Sequence, residues 1–118
     1  MSVVIAAGCA ARSVTSAAAV ALLSADGGTT FSTSGVALAG TSQWSLAITT
    51  TTDVTVKVYV GAGMLAGLVE LTALAATVTS AVPVVISASG ESGNRLYVTA
   101  QAVATTAAVN ADFRGVSP

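Results

Sequence analysis

Nine side chains charged at neutral pH carry whatever acid–base chemistry this chain can offer: Asp26, Asp53, Glu70, Glu91, Asp112, Arg12, Lys57, Arg95 and Arg114. There is no histidine, and Cys9 is the one cysteine. A hydrolytic triad needs a general base, most often an imidazole, so nothing in the sequence is placed to take the Cys9 proton. Arg12 is the nearest basic residue in sequence, too little positive surrounding to make a reactive thiolate. Cys9 reads as a small packing residue. One thiol without an imidazole cannot close a tetrahedral zinc site.

The remaining chemistries are equally short of parts. Calcium wants clustered oxygen ligands, and the loops at Asp26-Gly27-Gly28 and Glu91-Ser92-Gly93-Asn94 each bring a single carboxylate. Both read as turns. Paired carboxylates for general acid–base work would have to come from residues far apart in sequence. Asp112 and Arg114, two apart on one strand face, are expected to pair with each other. Gly61-Ala62-Gly63 lacks the Lys-Ser/Thr that a phosphate loop needs. No catalytic residue, metal or cofactor is predicted.

The scarcity of charge is itself informative. Charged residues are 8% of the chain and mean hydropathy is +0.84, where soluble domains average about 25% charged. Such a surface is expected to be covered by other protein subunits or by lipid. Net charge is −1 and the four cations are scattered, which argues against nucleic acid. The apolar run before Arg12 has no preceding Lys or Arg, the wrong polarity for a secretory leader, and Ala6-Ala7-Gly8-Cys9 is only a loose lipoprotein box. The one membrane-length segment, Met64–Ile86, contains Glu70 and Pro83 and tends to alternate, so a membrane is disfavoured.

The chain is long enough for one domain, 1–118, with one core. Two segments alternate with period two, the mark of half-buried strands. Trp44, Leu46 and Ile48 share a face, as do Val54, Val56, Val58 and Val60. Folding about Thr51 predicts a hairpin pairing Ile48 with Val54, Leu46 with Val56 and Trp44 with Val58. All the large apolar side chains then fall together, and Lys57 and Tyr59 point the other way. Residues 95–103 and 107–116 predict a second hairpin pairing Val98 with Phe113, Ala100 with Ala111 and Ala102 with Val109. Its reverse face would set Tyr97 beside Arg114, Thr99 beside Asp112 and Gln101 beside Asn110. Trp44 and Phe113 are expected in the core.

Shorter strands are read at 77–79 and 82–87, with Pro83 at a strand start or sheet edge, and at 31–38. Residues 24–30 and 87–94 read as loops. The first 24 residues are ambiguous: a helix over 14–23, or strands at 3–6 and 19–23, in either case an extended or helical N-terminal arm. Seven or eight short strands predict an all-β antiparallel sandwich with jelly-roll character.

With catalysis lacking its parts, the functional signal is the outer surface. Tyr59, Tyr97, Thr99, Gln101, Asn110 and Arg114 are the candidate interface: mostly uncharged groups that cost less to desolvate than Lys or Glu. The segments WSLAITTTTDVTVKVYVG (44–61) and NRLYVTAQAVATTAAVNADFRGV (94–116) resemble small β-sandwich virion proteins of tailed bacteriophages, of the head decoration or cement type. That resemblance implies a non-enzymatic homo-oligomer, often a trimer, made in the host cytoplasm. It would seat on the capsid surface over contacts between major capsid protein subunits. From another class, a carbohydrate- or receptor-binding sandwich would use Tyr59 and Tyr97 with a carboxylate. A small membrane protein spanning 64–86 is a third expectation.

Overall fold

A computed structural model describes residues 2–24, 36–37, 43–61, 69–89 and 95–117. Among them lie ten strands: β1 (Ser2–Val14), β2 (Val20–Ala21), β3 (Val36–Ala37), β4 (Gln43–Thr50), β5 (Val54–Gly61), β6 (Val69–Glu70), β7 (Ala76–Val78), β8 (Val84–Ser89), β9 (Arg95–Ala102) and β10 (Ala107–Ser117). Valine and threonine dominate β5 and recur elsewhere. Branching at Cβ suits the pleated backbone and resists helix.

Two antiparallel sheets face each other. The first runs β1-β10-β4-β8, and the second runs β2-β9-β5-β6, with β3 also on β9 and β7 also on β5. β2 and β3 therefore act as one interrupted strand along β9, and β6 and β7 as another along β5. Ten strands fill eight positions, and every connection outside those two composite edges and the β5–β6 link crosses between sheets. This is jelly-roll order. The helix expected as one option over 14–23 does not form; Val14 ends β1 and Val20–Ala21 is β2. Residues 69–86, within the membrane-length segment, are β6, a 3-10 turn at Thr72–Leu74, β7 and part of β8. Among the described residues no helix is long and apolar enough to cross a membrane. Of the loop expected at 87–94, residues 87–89 are instead the end of β8; residues 90–94, residues 25–30 of the loop expected at 24–30 and most of the strand expected at 31–38 lie outside the described residues.

Alternation decides what faces inward. Trp44, Leu46 and Ile48 of β4 meet Val54, Val56 and Val58 of β5, with Leu96 and Val98 of β9 and Val109 and Phe113 of β10, all buried. Trp44 and Phe113 touch, their ring centroids 5.7 Å apart. Gly115 lies directly across the ladder from Trp44 and leaves the space beside the indole free of a side chain.

Neither expected hairpin exists. β4 pairs with β10 and β8, and β5 with β9, β6 and β7. Residues 51–53 and 103–106 are arches that carry the chain from one sheet to the other. Ile48 and Val54 therefore sit in opposite layers. Tyr97 and Arg114 lie on different sheets, so their expected cross-strand contact is absent. The physical reason is in the turns. A two-residue hairpin wants positive φ, which threonine resists, and among the described residues Ala11 is the one non-glycine with positive φ. The threonines instead tie the arches to each other. Thr51 N–H donates to the Ala108 carbonyl (3.2 Å) and Ala108 N–H to Thr51 Oγ1 (2.9 Å). Thr52 Oγ1 donates to the Thr105 carbonyl (3.2 Å).

β1 is an integral strand rather than a loose arm. It pairs with β10 along its length, with register breaks between Val3 and Ile5 and between Cys9 and Arg12. At the second break Ala10 and Ala11 oppose Asn110 alone, a bulge. Ala11 takes φ 50° there, and its N–H donates to Asn110 Oδ1 at 2.8 Å. Asn110→Ala is expected to lower stability by about 1 kcal/mol and to speed hydrogen exchange at the Ala11 amide, both readable on the folded protein.

Candidate functional site

Cys9 is half-buried, and its Sγ lies 3.4 Å from the Val109 carbonyl. Burial pushes the thiol up, against smaller opposing pulls from a backbone hydrogen bond and Arg12. The Arg12 Nε is itself turned to the Ala21 carbonyl at 3.1 Å. Tyr97 is also pushed up, first by burial and then by Tyr59 beside it. A folded-state pKa above the unfolded one stabilises the protein fully at lower pH. That contribution is lost as pH rises through the alkaline range. The denaturation midpoint is therefore expected to hold near neutrality and fall above about pH 9. Thiol reagents should label Cys9 slowly at neutral pH until the chain is unfolded. Among the described residues no three metal-ligating side chains gather.

The six candidate interface residues divide between two outer faces. Tyr59, Tyr97, Thr99 and Gln101 belong to the second sheet, Asn110 and Arg114 to the first. On the second sheet, Glu70, Tyr59 and Tyr97 form a row across β6, β5 and β9. The phenol rings lie 5.9 Å apart, tilted by 42°. Thr99 is only 5% exposed, set between Ala21 of β2 and Lys57 of β5, so it offers no surface to a partner. Gln101 is half-buried and donates through Nε2 to the Ser16 carbonyl at 2.9 Å, fastening the chain between β1 and β2. As an interface this group reduces to the two tyrosines.

The outer face of the first sheet is different in kind. Its middle strands present Ser45, Ala47 and Thr49 from β4 and Asn110, Asp112 and Arg114 from β10, all exposed. Arg114 Nε meets Asp112 Oδ1 at 3.4 Å, with both side chains more than half exposed, so the two charges largely cancel. An exposed pair of this kind adds less than about 1 kcal/mol to stability. Asn110 uses its amide internally, accepting from Ala11 and donating from Nδ2 to Thr49 Oγ1 at 3.3 Å. β8 completes the face with exposed Val85 and Ser87. Toward the far end a shallow groove of about 380 Å³ runs between Gln43, Ser45, Ser87, Arg114 and Val116, with Trp44 beneath. Among the described residues the buried Trp44 Nε1 has no hydrogen-bond partner.

Sequence reasoning missed the exposed valines: Val69 (63%), Val82 (61%), Val85 (69%) and Val103 (59%). For Val85 a signal was present. Val84-Val85-Ile86 is an unbroken apolar run where alternation demands a polar middle residue. Comparison with protein-family models, with curated proteins and with solved structures returns no match.

Proposed function

We propose that this chain is a non-enzymatic structural protein of a viral particle, in kind a capsid decoration or cement protein of a tailed bacteriophage. It self-associates and seats on the capsid surface, stabilising contacts between neighbouring shell subunits. One observation carries the reading: the outer face of the β1-β10-β4-β8 sheet presents Ser45, Ala47, Thr49, Val85 and Ser87, and Asp112 and Arg114 on it neutralise each other. A face made mostly of small uncharged groups is cheap to desolvate and suits burial against protein. Jelly rolls recur in both capsid and lectin domains, so the fold leaves the choice to the face.

Light scattering across a wide concentration range tests it. Association should grow with concentration and survive high salt, because little charge is involved. A strict monomer at the highest soluble concentration would remove the self-association on which the reading stands.

A second reading, a carbohydrate-binding sandwich, is favoured by the Glu70-Tyr59-Tyr97 row, where a carboxylate lines up with two aromatic rings. It ranks second because the rings are tilted rather than coplanar and so make a poor floor for a flat sugar. Quenching or enhancement of tyrosine emission by soluble glycans, lost in Tyr59→Ala and Tyr97→Ala, would raise it above the first.

A further inference from the structure

A jelly roll has four sheet edges, and an unprotected edge invites another strand. Three of the four are blunted here. β1 is bent by its bulge and bridged to Ser24 by reciprocal backbone hydrogen bonds at Gly8 (3.0 and 3.2 Å). Among the described residues β2 and β3 are two residues each, and β6 and β7 two and three. β8 has none of these protections. It is a six-residue strand without charge or register break, paired among the described residues on its β4 side alone. Pro83 stands just before the strand rather than within it.

We infer that β8 is a pairing edge occupied by β8 of a second copy of this chain, antiparallel across a two-fold axis. The first sheet then continues from one subunit into the next. The occupant follows from the charge pattern. An antiparallel pairing of like with like sets each strand against itself, so an ionic side chain would meet its own kind. Neither β8 nor the adjoining β4 carries one, and on β10, two strands inward, Asp112 and Arg114 pair with each other. Val82 and Val85, 61% and 69% exposed, supply apolar cover at the seam. A six-residue edge reaches only part of the roughly 800 Å² per partner that stable interfaces bury, so the dimer forms in a concentration-dependent way.

This inference rests on the reading of the chain as self-associating, and its test separates the two. Wild type, Val85→Lys/Ser87→Lys and Lys57→Ala are compared by light scattering and analytical ultracentrifugation, with circular dichroism to check folding. Both substituted β8 side chains are exposed, so the fold does not need them. The expected result is a wild-type dimer, unchanged in Lys57→Ala and weakened at least about tenfold by the paired lysines. Hydrogen exchange on wild type supplies a readout free of substitutions: amides at 84–89 should slow as concentration rises while those of β9 do not. An oligomer indifferent to the β8 lysines, an odd-numbered one, or unchanged exchange at β8 overturns the inference and leaves self-association standing. A wild-type monomer throughout overturns both. If the lysine variant fails to fold, the exchange result decides.

Discussion

Phe113→Ala is expected to cost about 3–5 kcal/mol, a large share of the 5–15 kcal/mol by which ordinary domains are stable. Phe113 is fully buried on β10, the strand between β1 and β4, and among the described residues is the largest fully buried side chain in a core otherwise built mostly of valine, leucine and alanine. Small neighbours on rigid strands have little reach to close the void, so the cavity cost falls near the top of its range. A urea titration should show the midpoint dropping with unchanged slope, or no cooperative transition at all. Its neighbour Trp44 should behave otherwise when changed to Phe. Among the described residues the buried indole N–H has no acceptor, and an N–H left so costs about 1–3 kcal/mol. Removing it offsets much of the lost volume, and Trp44→Phe is expected to stay within about 1 kcal/mol of wild type. A loss as large as that of Phe113→Ala would show that the indole N–H matters to the fold.

The second large effect is expected at Gly8. Its φ is 156°, and a Cβ built there would run into the carbonyl oxygen of Ala111 on the paired strand. The obstacle is backbone in the middle of a sheet, which cannot swing aside as a side chain can. Gly8→Ala should cost about 3 kcal/mol, with hydrogen exchange rising along β1 before the rest of the protein. Ala10→Val, two residues on and exposed, should change stability by less than about 0.5 kcal/mol. Equal losses at the two sites would mean that close approach to Ala111 is not what selects glycine.

Much of the fold was legible in the chain, for a reason that also explains what was not. Period-two alternation reports which side of a strand is apolar, so Trp44, Phe113 and the valines of β5 were correctly turned inward. It is silent on which strand lies alongside. A hairpin within one sheet and an arch between two sheets satisfy the same pattern, because in both the apolar side chains end up against the same core. The discriminating signal was in the turns, where Thr50–Thr52 and Thr105-Thr106 lack the Gly or Asn that a tight hairpin wants. β1 was legible only in part. Alanine and glycine blur its alternation, and its register breaks at Val3/Ile5 and Cys9/Arg12 interrupt whatever parity remains. Among the candidate interface residues, outward parity correctly marked Tyr59, Tyr97, Asn110 and Arg114. It could not foresee that flanking strands bury Thr99 or that Gln101 and Asn110 hydrogen-bond within their own subunit.

β10 lies between β1 and β4, so an inner plank of that sheet is synthesised after both of its neighbours. Until it arrives, β1 and β4 have no common neighbour, and the contacts uniting them span nearly the whole chain. Closing loops of that length before any reward is collected slows the search for the native state. Meanwhile the uncharged β4 and β8 segments wait half-assembled, and β8 can find another nascent chain as readily as its own. Synthesis rate and local crowding should therefore govern the yield of correctly folded protein more than its final stability does.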